Sequence, residues 1–189
     1  MSVPPDVPLP PPAHPAGSGD PYRICLVCLG NICRSPMAGV VLTSELAMAG
    51  LGDAVTVDSA GTGDWHIGQR MEAHARAELA RRGYDGSAHR ARQVEPSWLA
   101  GRDLILAMDH RNLADLRRLA GRAGSSTARI RLFGEAGRLP DRGGPDGRDI
   151  PDPYGCDAGE FGAVLDLIET AARSIAGQLA DLLAGRAHA

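Results

Sequence analysis

Four side chains in this sequence have the types and spacing for one chemistry. Cys28 is followed by five residues and then by Arg34 and Ser35, in the run "VCLGNICRSP", and Asp152 stands in "IPDPYG". A thiolate is a nucleophile, a planar guanidinium grips two phosphate oxygens at once, and a carboxyl can hand a proton to a leaving oxygen. The set suits cleavage of a phosphate ester through a cysteine-bound intermediate. Cys28 would attack, Arg34 would hold the phosphoryl group, and Ser35 would donate to the sulfur. Asp152 would protonate the leaving group, its backbone stiffened by Pro151 and Pro153. A bare Cys-x5-Arg also arises by chance, so the elements around it must support this reading.

Those elements form a consistent pattern. "YRICLVC" (22–28) is a short apolar run that ends at the motif and reads as a buried strand; 55–61, 103–109 and 128–133 read likewise. Helical spacing follows the motif over 35–50, with Ser35 as a cap-like start, Pro36 at an early position and Gly50 as the stop. Further helical patterns cover 71–83, 110–121 and 161–185, and the Gly- and Pro-rich stretch 134–155 reads as a long loop. Alternating strands and helices predict an α/β three-layer sandwich, a parallel sheet flanked by helices, whose ligands bind beyond the carboxyl ends of the strands. The motif falls there. A loop between a strand end and a helix start turns backbone N–H groups toward an anion, Gly30 lets the chain approach closely, and Asn31 tolerates left-handed geometry.

Composition narrows the field. The length of 189 residues suits one domain, and 43% hydrophobic residues suffice for a core. A formal net charge of −3 offers no broad positive field for nucleic acid or an anionic membrane. All twenty basic residues are arginine, so neither a Walker-type loop nor a Schiff base is available. The four cysteines, Cys25, Cys28, Cys33 and Cys156, are spaced poorly for disulfides and suit reduced thiols in a cytoplasm. Cys25 reads as core and Cys156 as an incidental surface thiol. The six histidines show no metal-binding spacing, and neither a metal nor a cofactor is expected. Asp109 reads as the cap of the following helix. Residues 1–20, with seven prolines, predict a disordered tail ahead of a domain over 21–189. This start lacks the form of a secretory signal, which favours the cytoplasm but leaves open export by a route without one.

Four segments in order, "VCLGNICRSPMA", "DSAGTGDWHIG", "AHRARQ" and "PDPYG", resemble the low-molecular-weight protein tyrosine phosphatases of bacterial type. The resemblance covers about residues 22–184. It implies a four-stranded parallel sheet with the phosphate-binding loop after its first strand, and metal-free hydrolysis of phosphotyrosine through a phosphocysteine. By position, Cys28 is similar to the family nucleophile, Arg34 to the phosphate-binding arginine, Ser35 to the thiolate partner and Asp152 to the general acid. Leu29, Gly30, Asn31, Ile32 and Cys33 complete the loop. Trp65 and Tyr154, with Leu29, match the walls around the phosphotyrosine ring, while Asn31, Ser59 and His89 match a network bracing the loop. Cys33 matches a second loop cysteine that can shield the nucleophile as a disulfide. The implied partners are phosphotyrosine proteins, a bacterial tyrosine kinase among them. Glu72 and His74 stand where relatives usually carry Asp and Arg, and Gly155 replaces a second tyrosine.

Two rivals share the loop. Thiol-dependent arsenate reductases need a downstream cysteine pair, but no cysteine lies between Cys33 and Cys156. Protein-arginine phosphatases typically carry a threonine where this chain has Ile32, which offers no hydroxyl.

Overall fold

The computed structural model describes residues 7–15, 18–143 and 146–187. Four strands, β1 (Tyr22–Cys28), β2 (Val55–Gly61), β3 (Leu104–Ala107) and β4 (Ile130–Leu132), form one parallel sheet in the order β2-β1-β3-β4. The last two are shorter than their apolar runs suggest. Strand β1 pairs on both sides, with Cys28 opposite Gly61 of β2 and Val27 opposite Ala107 of β3. Successive connections therefore leave β1 in opposite directions, and its carboxyl end is the crevice of the sheet.

Alternation along β1 explains the layers. Tyr22, Ile24, Leu26 and Cys28 face one core, with Met37, Val41 and Leu42 of α1 (Arg34–Met48) and Phe161, Leu165 and Ile168 of α6 (Ala158–Ala187). Cys25 and Val27 face the other, with Leu99 of α3 (Pro96–Ala100) and Leu113, Leu116 and Ala120 of α4 (His110–Arg122). From Ile24 to Cys28 the strand is buried on both faces and has no polar face to show, hence the apolar run there. In α6 the buried residues Phe161, Val164, Leu165, Ile168, Ala172, Ile175 and Leu179 recur at helical spacing. Each large one removed from water contributes roughly 1.5–3 kcal/mol.

Helix α2 (Ala73–Arg81) starts where the Glu72 carboxylate accepts from Ala75 N at 3.0 Å, so the departure at position 72 serves as a cap. The short helices α3 and α5 (Phe133–Ala136) were not expected from periodicity.

The proline-rich stretch, expected to remain flexible, departs from that expectation over residues 7–15. Prolines have no N–H, so such a segment offers mostly carbonyls, and the domain supplies most of the donors. Arg131 Nη1 donates to Pro8 O (2.6 Å), Tyr22 Oη to Pro10 O (2.9 Å) and Arg129 Nη1 to Pro11 O (2.9 Å). The Ala13 N–H donates to Asp103 Oδ1 at 2.6 Å, and Leu9, only 5% exposed, joins the larger core. This strap crosses the amino ends of β1, β3 and β4, opposite the crevice. Residues 1–6 and 16–17 of the expected tail lie outside the described residues.

Candidate active site

Cys28 is the last residue of β1 and Arg34 the first of α1, so the loop between them has one end in the sheet and the other at a helix amino terminus. That terminus carries partial positive charge. Asn31 bends the loop with φ of 55°, a left-handed conformation that Asn adopts at modest cost. Its polar groups then hold the turn together. The backbone N–H donates to Cys28 Sγ (3.2 Å), and Nδ2 donates to Ser35 Oγ and Ser59 Oγ (both 2.9 Å). Oδ1 accepts from Arg92 N (2.9 Å), and the main-chain carbonyl lies 2.7 Å from His89 Nε2. A carbonyl only accepts, so His89 carries its proton on Nε2. The structure thus brings Asn31, Ser59 and His89 together and adds Arg92.

Close approach fixes the loop against the sheet. A Cβ on Gly61 would lie 2.6 Å from Leu29 O, so only glycine lets β2 end beside the loop. Gly61 sits opposite Cys28, and Thr62 N donates to Cys28 O at 2.9 Å.

Ser35 Oγ lies 3.0 Å from Cys28 Sγ and 3.2 Å from Ala60 O. The hydroxyl has one proton and already accepts from Asn31, so it donates either to the sulfur or to the carbonyl. When it turns to the sulfur it joins the Asn31 N–H, and Cys28 then accepts from two donors. Burial pushes the Cys33 thiol well above its ordinary value, and the charge at Cys28 pushes it further. Cys25, buried beside Asp58, is likewise held protonated. All four cysteines are free, and only Cys156 is exposed.

Arg34 is almost fully buried. Nη1 donates to Asp109 Oδ2 (2.5 Å) and to Ile150 O (3.2 Å), and Nη2 donates to Asp152 Oδ2 (2.6 Å). Burial opposes its charge, but Cys28, Asp152 and Asp109 outweigh burial and hold the guanidinium more firmly protonated. Among the described residues its Nε has no hydrogen-bond partner. A buried unpaired donor of this kind is costly unless an acceptor arrives.

These groups share a cavity of about 110 Å³ lined by Cys28, Leu29, Gly30, Ile32, Cys33, Arg34, Trp65, His66, Asp152 and Tyr154. Trp65, 67% exposed, stands at the rim. Of the residues expected at the pocket, Asn31 alone turns its side chain away, into the brace behind the loop.

Sequence reasoning missed two participants. His66 lines the cavity 6.0 Å from the Tyr154 ring, ring centre to ring centre, a neighbour that follows from its place beside Trp65. Asp109 does cap α4, accepting from Asn112 N at 2.7 Å, but its other oxygen holds Arg34. That second contact spans 75 positions and leaves no local signal.

Known proteins resemble this chain in sequence and fold. Residues 23–183 match the family described as low molecular weight phosphotyrosine protein phosphatase. A low molecular weight protein-tyrosine-phosphatase of Streptomyces coelicolor is 42% identical over 88% of this chain and 98% of that protein. Low molecular weight protein-tyrosine phosphatase A of Mycobacterium tuberculosis is 41% identical over 80% of this chain and 88% of its own length. The crystal structure of YfkJ from Bacillus subtilis aligns with a TM-score of 0.77 and 36% identity, covering 86% of this chain and 97% of that one. With the match spanning nearly the whole described chain, this protein belongs to the low molecular weight phosphotyrosine protein phosphatase family.

Proposed function

We propose that this chain hydrolyses phosphotyrosine in proteins, in two steps through a phosphocysteine at Cys28. The observation that supports the reading is convergence on one cavity. A sulfur that accepts from Asn31 N–H and lies 3.0 Å from the Ser35 hydroxyl, a guanidinium with an unpartnered Nε and a carboxyl touching that guanidinium meet there. An entering phosphate would take Arg34 from Asp152 and satisfy Nε. In the first step Cys28 attacks as the thiolate and Asp152, released from Arg34 by the phosphate, carries the proton. Sulfur bonds to phosphorus while the bond to the tyrosine oxygen breaks, and Asp152 passes its proton to that oxygen. In the second, Asp152 takes a proton from water, the water oxygen bonds to phosphorus, and the sulfur leaves with its electron pair. The Ser35 proton turns from Ala60 O to the departing sulfur.

The ring would lie among Leu29, Trp65 and Tyr154, whose apolar faces suit an aromatic substrate. Ile32 in the loop favours phosphotyrosine over phosphoarginine. The free thiols among the described residues suit a reducing cytoplasm, and the partners we assign are phosphotyrosine proteins, tyrosine kinases included.

The test is hydrolysis of a phosphotyrosine peptide in chelator and reductant, by the wild type beside Cys28→Ser. Turnover by the wild type that vanishes in the variant is expected. A folded wild type without turnover sinks the reading, and faster hydrolysis of phosphoarginine overturns the substrate preference.

A further inference from the structure

The loop that carries Asp152 is rich in glycine and proline, a composition that by itself aims nothing. Its last turn before the acid is nevertheless held at three successive points. The Asp149 carboxylate meets His110, the first residue of α4, at two places: Oδ2 accepts the main-chain N–H at 3.2 Å and Oδ1 lies 2.7 Å from Nδ1. Ile150 N donates to Met108 O at 2.8 Å, and Ile150 O accepts from Arg34. Arg142 Nη2 donates to the Asp149 carbonyl, and Asp149 N donates to Asp146 O at 2.9 Å. Asp146 brings a second carboxylate 3.8 Å from the His110 ring.

The location gives this clasp its meaning. His110 follows Asp109, which holds Arg34, and Asp149 lies three residues before Asp152, with rigid Pro151 between. One clasp therefore ties the arm bearing the acid to the helix start that carries the arginine's counter-ion. The Asp149 side chain is 15% exposed and the His110 side chain 43%, so the carboxylate is the sheltered end of the clasp and water reaches it from the histidine side.

We propose that Asp149, clasped to His110, is a positioning residue for the general acid. It touches no substrate. It sets the distance from the Asp152 carboxyl to the leaving oxygen, and therefore acts on the step that delivers the proton. This rests on the reading of Asp152 as the acid, and the experiment must separate the two.

The measurement is kcat/KM for a phenolic phosphate with a poor leaving group, phosphotyrosine, and one with a good leaving group, p-nitrophenyl phosphate. A leaving group that departs without a proton is insensitive to a misplaced acid. Asp149→Ala is expected to lose about tenfold or more on phosphotyrosine and much less on p-nitrophenyl phosphate, since small misplacements of a reacting group are costly. His110→Ala keeps the main-chain bond and should lose less, and His110→Asn, whose amide reaches the place of Nδ1, should recover most of it. Equal losses on both substrates, or none on either, overturn the proposal. Asp149→Asn, which keeps the shape, provides the same comparison if the alanine variant does not fold. Asp152→Ala separates the two claims. If that variant loses equally on both substrates, the acid assignment has failed and the clasp proposal falls with it. If only Asp149→Ala is indifferent to the leaving group, the clasp alone is wrong.

Discussion

Arg34 and Asp152 are ion-paired across the cavity, Nη2 to Oδ2 at 2.6 Å, and the two ends of the pair are unequal. The Arg34 side chain is 3% exposed and fixed by Asp109, whereas that of Asp152 is 43% exposed. When a phosphate competes for the guanidinium, the aspartate is the partner free to move. On the proposed reading of the site, the pair would occupy the phosphate's place until the phosphate arrives.

The exchange has a measurable cost. Asp152→Ala should bind inorganic phosphate at least as tightly as the wild type, because Arg34 no longer has to release a carboxylate. Its kcat/KM on phosphotyrosine should fall by about a hundredfold or more. Inhibition by phosphate, read beside turnover, checks both halves; weaker phosphate binding in the variant would contradict the exchange.

Asn31 uses each of its polar groups, and truncation would strand several partners at once. Asn31→Ala should cost roughly 1–3 kcal/mol of stability, since the buried groups of Ser35 and Ser59 lose a donor. Activity should fall further than stability, because the left-handed turn that aims N–H at Cys28 loses its brace. Denaturant melts beside kcat/KM separate the two effects.

Burial holds the His89 imidazole below its ordinary value of 6.5, against the contrary pull of its bond to the Asn31 carbonyl. The unfolded chain therefore binds a proton that the folded one resists, and stability rises with pH through that window. The contribution is complete above 6.5 and is lost as pH falls through the depressed folded value. The melting temperature should drop between about pH 7 and pH 5, and His89→Gln should make that drop smaller. A curve unchanged by the substitution would remove His89 as its source.

Leu9 ties the proline strap to the core far from the crevice. Leu9→Ala should cost about 2 kcal/mol, near the lower bound for such truncations. For a domain of this size that corresponds to a fall of about 4–8 °C in melting temperature. The value of kcat/KM should stay unchanged. A loss of activity at constant stability would mean that the strap reaches the site by a path not visible in its contacts.

The sequence was most legible where function and local structure coincide. Cys28, Arg34 and Ser35 lie within eight residues, and their types constrain one another. The strands were legible as apolar runs because both faces of the sheet are buried. What escaped was contact between distant segments. Neither the grip of Asp109 on Arg34 nor the clasp of Asp149 on His110 has a local pattern. Proline content at the amino terminus predicts a solvated chain, and nothing nearby announces that Arg129 and Arg131 will meet its carbonyls. Helices α3 and α5, of five and four residues, are too short for a period to show.

The position of Cys28 at the end of the central strand has a consequence for the order in which the molecule opens. Amide hydrogens of β1 are bonded on both flanks, so they should exchange with deuterium only when the whole domain unfolds. That protection extends to the doorstep of the nucleophile. Asp152, on a loop outside the sheet that is held by a few main-chain and side-chain bonds, should exchange its neighbouring amides through small local openings. The Cys28 sulfur is then a fixed point and Asp152, the proposed proton donor, a hinged one, so sequence changes that tune turnover without unfolding the enzyme belong on the hinged side.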